Sequence, residues 1–280
     1  MKAQHAPIGV FDSGVGGLSV LREIWRELPE EAVVFLADQA HVPYGSRSLE
    51  EVRRFAGQIT RHLLRQGSRL IVVACNTASA AALYPLRQTF PEVPFVGMEP
   101  AVKPAAEKTQ SGVVGVLATP ATFQGALYAS VVERFANGVQ LLQHTCPGLV
   151  QRIEAGDLNG PDTRRILEQA LQPMLAKKID TVVLGCTHYP FVIPVIEEIV
   201  GPDVRVIDPA PAVARQVQRL LGGQDLPRET HTIQPLPPQE RTRIQTSGAP
   251  EDLEALLPDL LGISARVESL AWKNGRLVES

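Results

Sequence analysis

Ile71-Val72-Val73-Ala74-Cys75-Asn76-Thr77 and Val182-Val183-Leu184-Gly185-Cys186-Thr187-His188 are two copies of one pattern: a short apolar run, a small residue, a cysteine and two polar residues. An apolar run this short, rich in β-branched residues and closed by small polar ones, reads as a fully buried strand. Upstream, Gly9-Val10-Phe11-Asp12-Ser13 aligns with Gly115-Val116-Leu117-Ala118-Thr119. Each half therefore reads β-α-β-α-β, with its cysteine just beyond the third strand. An internal repeat organises the whole reading of a chain.

Working outward, Ile8–Phe11, Val33–Leu36, Leu70–Val73 and 95–96 read as strands of the first half. Leu18, Leu21, Trp25 and Leu28 recur at helical spacing between them, as do Leu49, Val52, Phe55, Ile59 and Leu63. In the second half, 113–117, 139–142, 181–184 and 204–207 read as strands, and 123–135 and 163–175 as helices. A further helix carries Val213, Val217 and Leu220, the Pro- and Gly-rich stretch 222–238 reads as a loop, and Leu253, Leu256, Leu257 and Leu260 mark a C-terminal helix. Strands alternating with helices predict parallel sheets with helices on both faces. The fold class is α/β, as two pseudo-symmetric domains. Ligands of such sheets bind beyond the carboxyl ends of the strands, so two facing halves bring both cysteines into one interdomain cleft.

Composition narrows the function classes. The 280 residues are 44% hydrophobic with a formal net charge of −3, enough apolar material for two cores and no electrostatic footprint for nucleic acid. The apolar runs fall far short of the ~20 residues of a membrane span, and no apolar stretch follows the polar N-terminus as a secretory signal requires. The expectation is a soluble cytoplasmic protein. Three well-separated cysteines do not make a disulfide framework. They are core filler or chemistry.

A lone buried cysteine is ordinarily inert. Two at equivalent repeat positions suit a reaction that removes a proton from one face of a carbon and delivers another to the opposite face, with one group as thiolate and the other as thiol. Ionising a free thiol of pKa ~8.5 at pH 7 costs about 2 kcal/mol, so neighbours should help. Asp12 and His188 are the candidates for proton relay or orientation. Cys146, with no equivalent in the first half, reads as structural.

Asp12-Ser13-Gly14-Val15-Gly16-Gly17 joins the first strand to the first helix. It partly matches a dinucleotide fingerprint, and Asp38 ends the second strand about where a ribose-binding acid would sit. Against that, Ser19 occupies the third glycine position and Asp12 would repel a pyrophosphate. The other reading is a tight turn whose N–H groups meet a carboxylate at a helix N-terminus. Pro43-Tyr44-Gly45 reads as a turn between a strand and a helix. Cys75, Cys186 and His188 lack the spacing of a compact zinc site.

These segments together resemble the glutamate racemases of the aspartate/glutamate racemase family. The resemblance is carried by Gly9 through Ser19, by Pro43-Tyr44-Gly45, by Ala74-Cys75-Asn76-Thr77-Ala78 and by Gly185-Cys186-Thr187-His188-Tyr189-Pro190, and covers nearly the whole chain. It implies interconversion of L- and D-glutamate with no cofactor and no metal, and a cytoplasmic role supplying D-glutamate for peptidoglycan. It implies that Cys75 serves the D face assisted by Asp12, and that Cys186 serves the L face assisted by His188, itself supported by Glu154. Ser13, Pro43, Tyr44, Gly45, Asn76, Thr77, Thr119, Thr122 and Thr187, with Asp12 and His188, would hold the substrate. Residues 1–98 plus 209–280 would form one domain and 99–208 the other, with a homodimer as the candidate assembly. The alternatives are an aspartate or other amino-acid racemase of the same family, a nicotinamide-dependent dehydrogenase, and a non-enzymatic thiol, zinc or interaction module.

Overall fold

A computed structural model describes residues 6–222 and 237–279 of the chain. Two sheets organise it. In the first half, β1 (Ile8–Asp12), β2 (Val33–Ala37), β3 (Leu70–Val73) and β4 (Phe95–Val96) alternate with α1 (Leu18–Glu27), α2 (Leu49–Arg65) and α3 (Asn76–Thr89). Every residue of these four strands is buried, because helices cover both faces of the sheet and leave no solvent side. After α4 (Val102–Lys108) the second half begins. There β5 (Val113–Ala118), β6 (Gln140–His144), β7 (Thr181–Gly185) and β8 (Arg205–Ile207) alternate with α5 (Pro120–Gln124), α6 (Ala126–Phe135), α7 (Leu149–Glu154), α8 (Pro161–Leu175) and α9 (Ile193–Val200). The chain then returns through α10 (Ala210–Gly222), β9 (Thr242–Thr246), α11 (Pro250–Leu261), β10 (Val267–Lys273) and β11 (Arg276–Glu279).

The strand orders make the repeat explicit. The larger sheet runs β11-β10-β9-β2-β1-β3-β4 and the smaller β6-β5-β7-β8. Its β2-β1-β3-β4 core is matched strand for strand by β6-β5-β7-β8. All pairings are parallel except β10 with β11. In each core the chain leaves the first strand for one side and then returns to the other. The carboxyl ends of β1 and β3, and of β5 and β7, therefore flank a topological switch point, where a crevice opens for ligand.

Two expectations need correction. The stretch 123–135 is not one helix: α5 and α6 are separated by Gly125, whose backbone is extended at φ −72° and ψ 139°. A Cβ on Gly125 would lie 2.7 Å from Cβ of Ala80 on α3, so the break lets the connection pass close to the first half. The C-terminal part is not a helix alone, since β9, β10 and β11 extend the larger sheet beyond β2. β9 has the sequence Thr-Arg-Ile-Gln-Thr, and its polar residues hide a strand whose position between β2 and β10 is set by pairing. Most of the loop read at 222–238 lies outside the described residues.

Candidate functional site

Cys75 is the N-cap residue of α3, and its sulfur accepts a hydrogen bond from the Ala78 amide at 3.4 Å. A helix N-terminus favours negative charge there. Burial opposes it more strongly, and with the neighbouring Asp12 carboxylate it pushes the Cys75 thiol well above the ordinary range. Asp12, the last residue of β1, is fully buried beside Cys75. Burial raises its pKa, against the opposing pull of His188 and of the groups that bond to it. Those include the Ser13 amide at 2.6 Å and the Thr187 hydroxyl at 3.0 Å. This arm is therefore built to hold protons.

The second arm differs. Sγ of Cys186 lies 3.7 Å from Nδ1 of His188, and Nε2 of His188 lies 2.5 Å from Oε1 of Glu154. Burial disfavours the imidazolium, but Cys186 and Glu154 together outweigh it and hold the His188 pKa well above the usual value. Glu154, at the end of α7, is displaced the other way. Burial would raise it, but His188, the Val15 amide and Gln39 together hold it below the usual carboxylate range. The two arms thus pair a thiol with a carboxyl and a thiol with an imidazolium–carboxylate couple.

The glycine loop explains itself here. The Val15 amide donates to Oε1 of Glu154 at 2.8 Å, so the carboxylate that the loop receives is the protein's own. A Cβ on Gly14 would fall 1.9 Å from Glu154 Oε1, and one on Gly16 2.4 Å from His188 Nδ1. The glycines admit the Cys186 arm rather than a pyrophosphate. Asp38 is equally committed. Its buried carboxylate accepts from Tyr44 Oη at 2.6 Å, Ser247 Oγ at 2.6 Å and Trp272 Nε1 at 2.7 Å, and pairs with His41 Nδ1 at 2.9 Å. With its lone pairs occupied it is a structural hub, and the ribose-binding reading falls.

Both thiols line one cavity of about 20 Å³, together with Ser13, Pro43, Tyr44, Gly45, Asn76, Thr77, Thr119, Thr187 and His188. Asn76 is buried, yet neither its amide nitrogen nor its carbonyl oxygen has a partner. A buried side-chain amide left unpaired is costly unless a ligand completes it. Across the cleft, Thr77 and Thr119 hydroxyls meet at 2.8 Å, and Thr119 meets Thr122 at 2.9 Å.

The region of residues 8–217 matches the model of the Asp/Glu/Hydantoin racemase family. The chain belongs to that family. Among its members, the glutamate racemase of Ectopseudomonas mendocina is 51% identical over 267 residues, 95% of this chain and 99% of the relative. The crystal structure of a Bacillus anthracis glutamate racemase superposes with a TM-score of 0.83 at 31% identity, covering 98% of this chain and 99% of that one. That of the Francisella tularensis glutamate racemase, in complex with D-glutamate, gives 0.79 at 29% identity, covering 94% and 96%.

Of the residues singled out in the sequence of this family member, eleven of the cleft-facing ones fall on the cavity wall. Asp12, Thr122 and Glu154 stand directly behind Cys75, Thr119 and His188. The Tyr44 hydroxyl is taken by Asp38, which leaves its backbone and ring to the cleft. Val150 on α7 also lines the cavity and was not foreseen, since an apolar residue at helical spacing reads as core. Gln39, which donates to Oε2 of Glu154 at 3.2 Å, was missed because nothing local connects residues 115 positions apart.

Proposed function

We propose that this chain is a glutamate racemase working without a cofactor through Cys75 and Cys186 as opposed acid/base thiols. What supports the reading above all is that two thiols, equivalent under the internal repeat, line one cavity. From L-glutamate, the Cys186 thiolate takes the α-proton and the Cys75 thiol delivers its own to the opposite face. This leaves Cys186 as thiol and Cys75 as thiolate, and the reverse reaction exchanges the roles. Asp12 positions the Cys75 proton. His188, with Glu154 behind it, passes a proton to or from Cys186. Asn76, the threonine hydroxyls and the amides at the helix N-termini would hold the carboxylates and the ammonium, supplying the transition-state stabilisation that a weakly acidic Cα–H demands.

Several further points belong to the same reading. One domain would comprise residues 1–98 plus 209–280 and the other 99–208, consistent with which strands build each sheet. Cytoplasmic residence, a homodimer and supply of D-glutamate to peptidoglycan rest on the resemblance to the glutamate racemases. Among the described residues no helix is long and apolar enough to cross a membrane. The test is circular dichroism of L- or D-glutamate incubated with pure protein and no added cofactor. The signal should decay to zero from either enantiomer, and a constant signal would refute the assignment.

A further inference from the structure

Glu154 uses its two oxygens differently. Oε1 receives His188 and the Val15 amide, while Oε2 receives the side-chain amide of Gln39 at 3.2 Å. Gln39 opens the turn that follows β2. Its orientation is dictated from the other side: Thr246 Oγ1, at the end of β9, lies 2.7 Å from Gln39 Oε1 and accepts the Gly248 amide at 3.0 Å. With its lone pair so engaged, the Thr246 hydroxyl hydrogen is free for Gln39 Oε1. The flipped amide would set Oε1 against the Glu154 carboxylate, a repulsive contact, so the Gln39 NH₂ faces Glu154. β2 and β9 are paired, with Ala37 opposite Thr246. The larger sheet thus reaches through Thr246 and Gln39 to a carboxylate on α7, and from there to His188 and Cys186.

We propose that Gln39, oriented by Thr246, is a positioning residue for the Cys186 arm: it fixes the Glu154 carboxylate so that His188 is held against the Cys186 sulfur. The inference rests on the two-thiol reading. Gln39 makes no contact with the Cys75 arm among the hydrogen bonds of the described residues, so its effect is confined to one of the two proton transfers. A donor on Oε2 also helps keep Glu154 ionised.

The variant Gln39→Leu keeps the bulk and removes the donor. Its kcat/KM should fall about tenfold, the size of one lost charge-assisted hydrogen bond, and by the same factor for both enantiomers, since their equilibrium constant is fixed. The discriminating readout is the isotope effect with α-deuterated substrate. Removal of the proton from L-glutamate by Cys186 becomes more rate-limiting, so the effect with L-glutamate should rise while that with D-glutamate falls. The acid limb of the kcat/KM profile should move to higher pH. Thr246→Val, close in shape, should shift all three readouts the same way by less. Isotope effects that stay put or move in the opposite sense in Gln39→Leu would overturn the positioning role, even if activity drops. Cys186→Ser, run alongside, separates the two readings: full activity there removes the two-thiol mechanism and this inference with it, whereas an inactive Cys186→Ser with unmoved isotope effects in Gln39→Leu removes the inference alone.

Discussion

What separates Cys75 and Cys186 from Cys146 is place: both line the cavity, and Cys146 does not. Cys146 is buried away from it, and burial pushes its thiol up to about 12. Cys75→Ser and Cys186→Ser should each abolish racemisation while Cys146→Ser retains most of it, as L-glutamate turnover will show; full activity in either of the first two defeats the mechanism. Asp12 carries a second prediction. Its folded pKa is raised, so its contribution to stability is complete below the ordinary Asp value, where both states are protonated, and is lost as pH rises through the folded value, because the unfolded chain ionises first. Asp12→Asn keeps the shape and an acceptor for the Ser13 amide. It should raise Tm at pH 7 while cutting kcat by about 10²-fold or more; a lower Tm at pH 7 would contradict the account. For His188 and Glu154 the signs combine. The raised His188 pKa gives stability that is complete below about 6.5 and lost as pH climbs through the folded value. The lowered Glu154 pKa gives stability that is complete above about 4.3 and lost as pH falls through the folded value. The stability difference between the parent and Glu154→Gln should therefore peak between about pH 4.3 and 6.5, and urea midpoints across pH will reveal whether it does.

Among elements, the turn from β1 into α1 matters for what it lets pass. A methyl on Gly16 would collide with the His188 ring. Its neighbours there are side chains rather than backbone, the His188 ring and Thr187 Oγ1 at 2.5 Å, so the chain can fold by moving them. Gly16→Ala should keep near-parental secondary structure and lose about 10²-fold in kcat, since a displacement of about 1 Å at a reacting group has that effect. Gly57 in α2 is the contrast: a Cβ there meets only Arg61 Nη1, at 3.6 Å. Gly57→Ala should stabilise by roughly 0.5–1 kcal/mol through helix propensity with activity unchanged. Thermal melts and turnover on the pair decide it; equal activity in both variants would mean that the loop glycine has no bearing on the His188 arm.

For the molecule as a whole, the two sheets close on a cavity of about 20 Å³, room for roughly one water. Glutamate is several times larger, so on the two-thiol reading the side chains that line the cavity would have to move apart to admit it. Binding to the folded state alone stabilises by mass action, about 2.7 kcal/mol at a hundredfold excess over Kd. D-glutamate should therefore raise Tm in a concentration-dependent way. Thr119→Val, which removes the hydroxyl meeting Thr77 across the cleft, should shrink that shift. A shift of equal size with aspartate, one methylene shorter, would defeat the glutamate assignment while leaving a two-thiol racemase standing.

The repeat, the parallel α/β class and the two cysteines were legible in the sequence because they are local. Short apolar runs ending in Cys75 and Cys186 declare buried strands, and their identical settings declare the repeat. Asp12 and His188 were legible as neighbours in the chain or in the motif. What only the tertiary structure decided lies between segments far apart in sequence. β9 is a strand because β2 and β10 pair with it, whatever its own polarity suggests. Gly14 and Gly16 are bare because Glu154 and His188 approach them. Asp38 is a hub rather than a ligand-binding acid because Tyr44, Ser247 and Trp272 converge on it. Gln39 reaches Glu154 because the turn after β2 and the end of α7 meet there. A residue's type and spacing record its local conformation and burial, but a hydrogen-bond partner brought in by the fold leaves no periodicity to read.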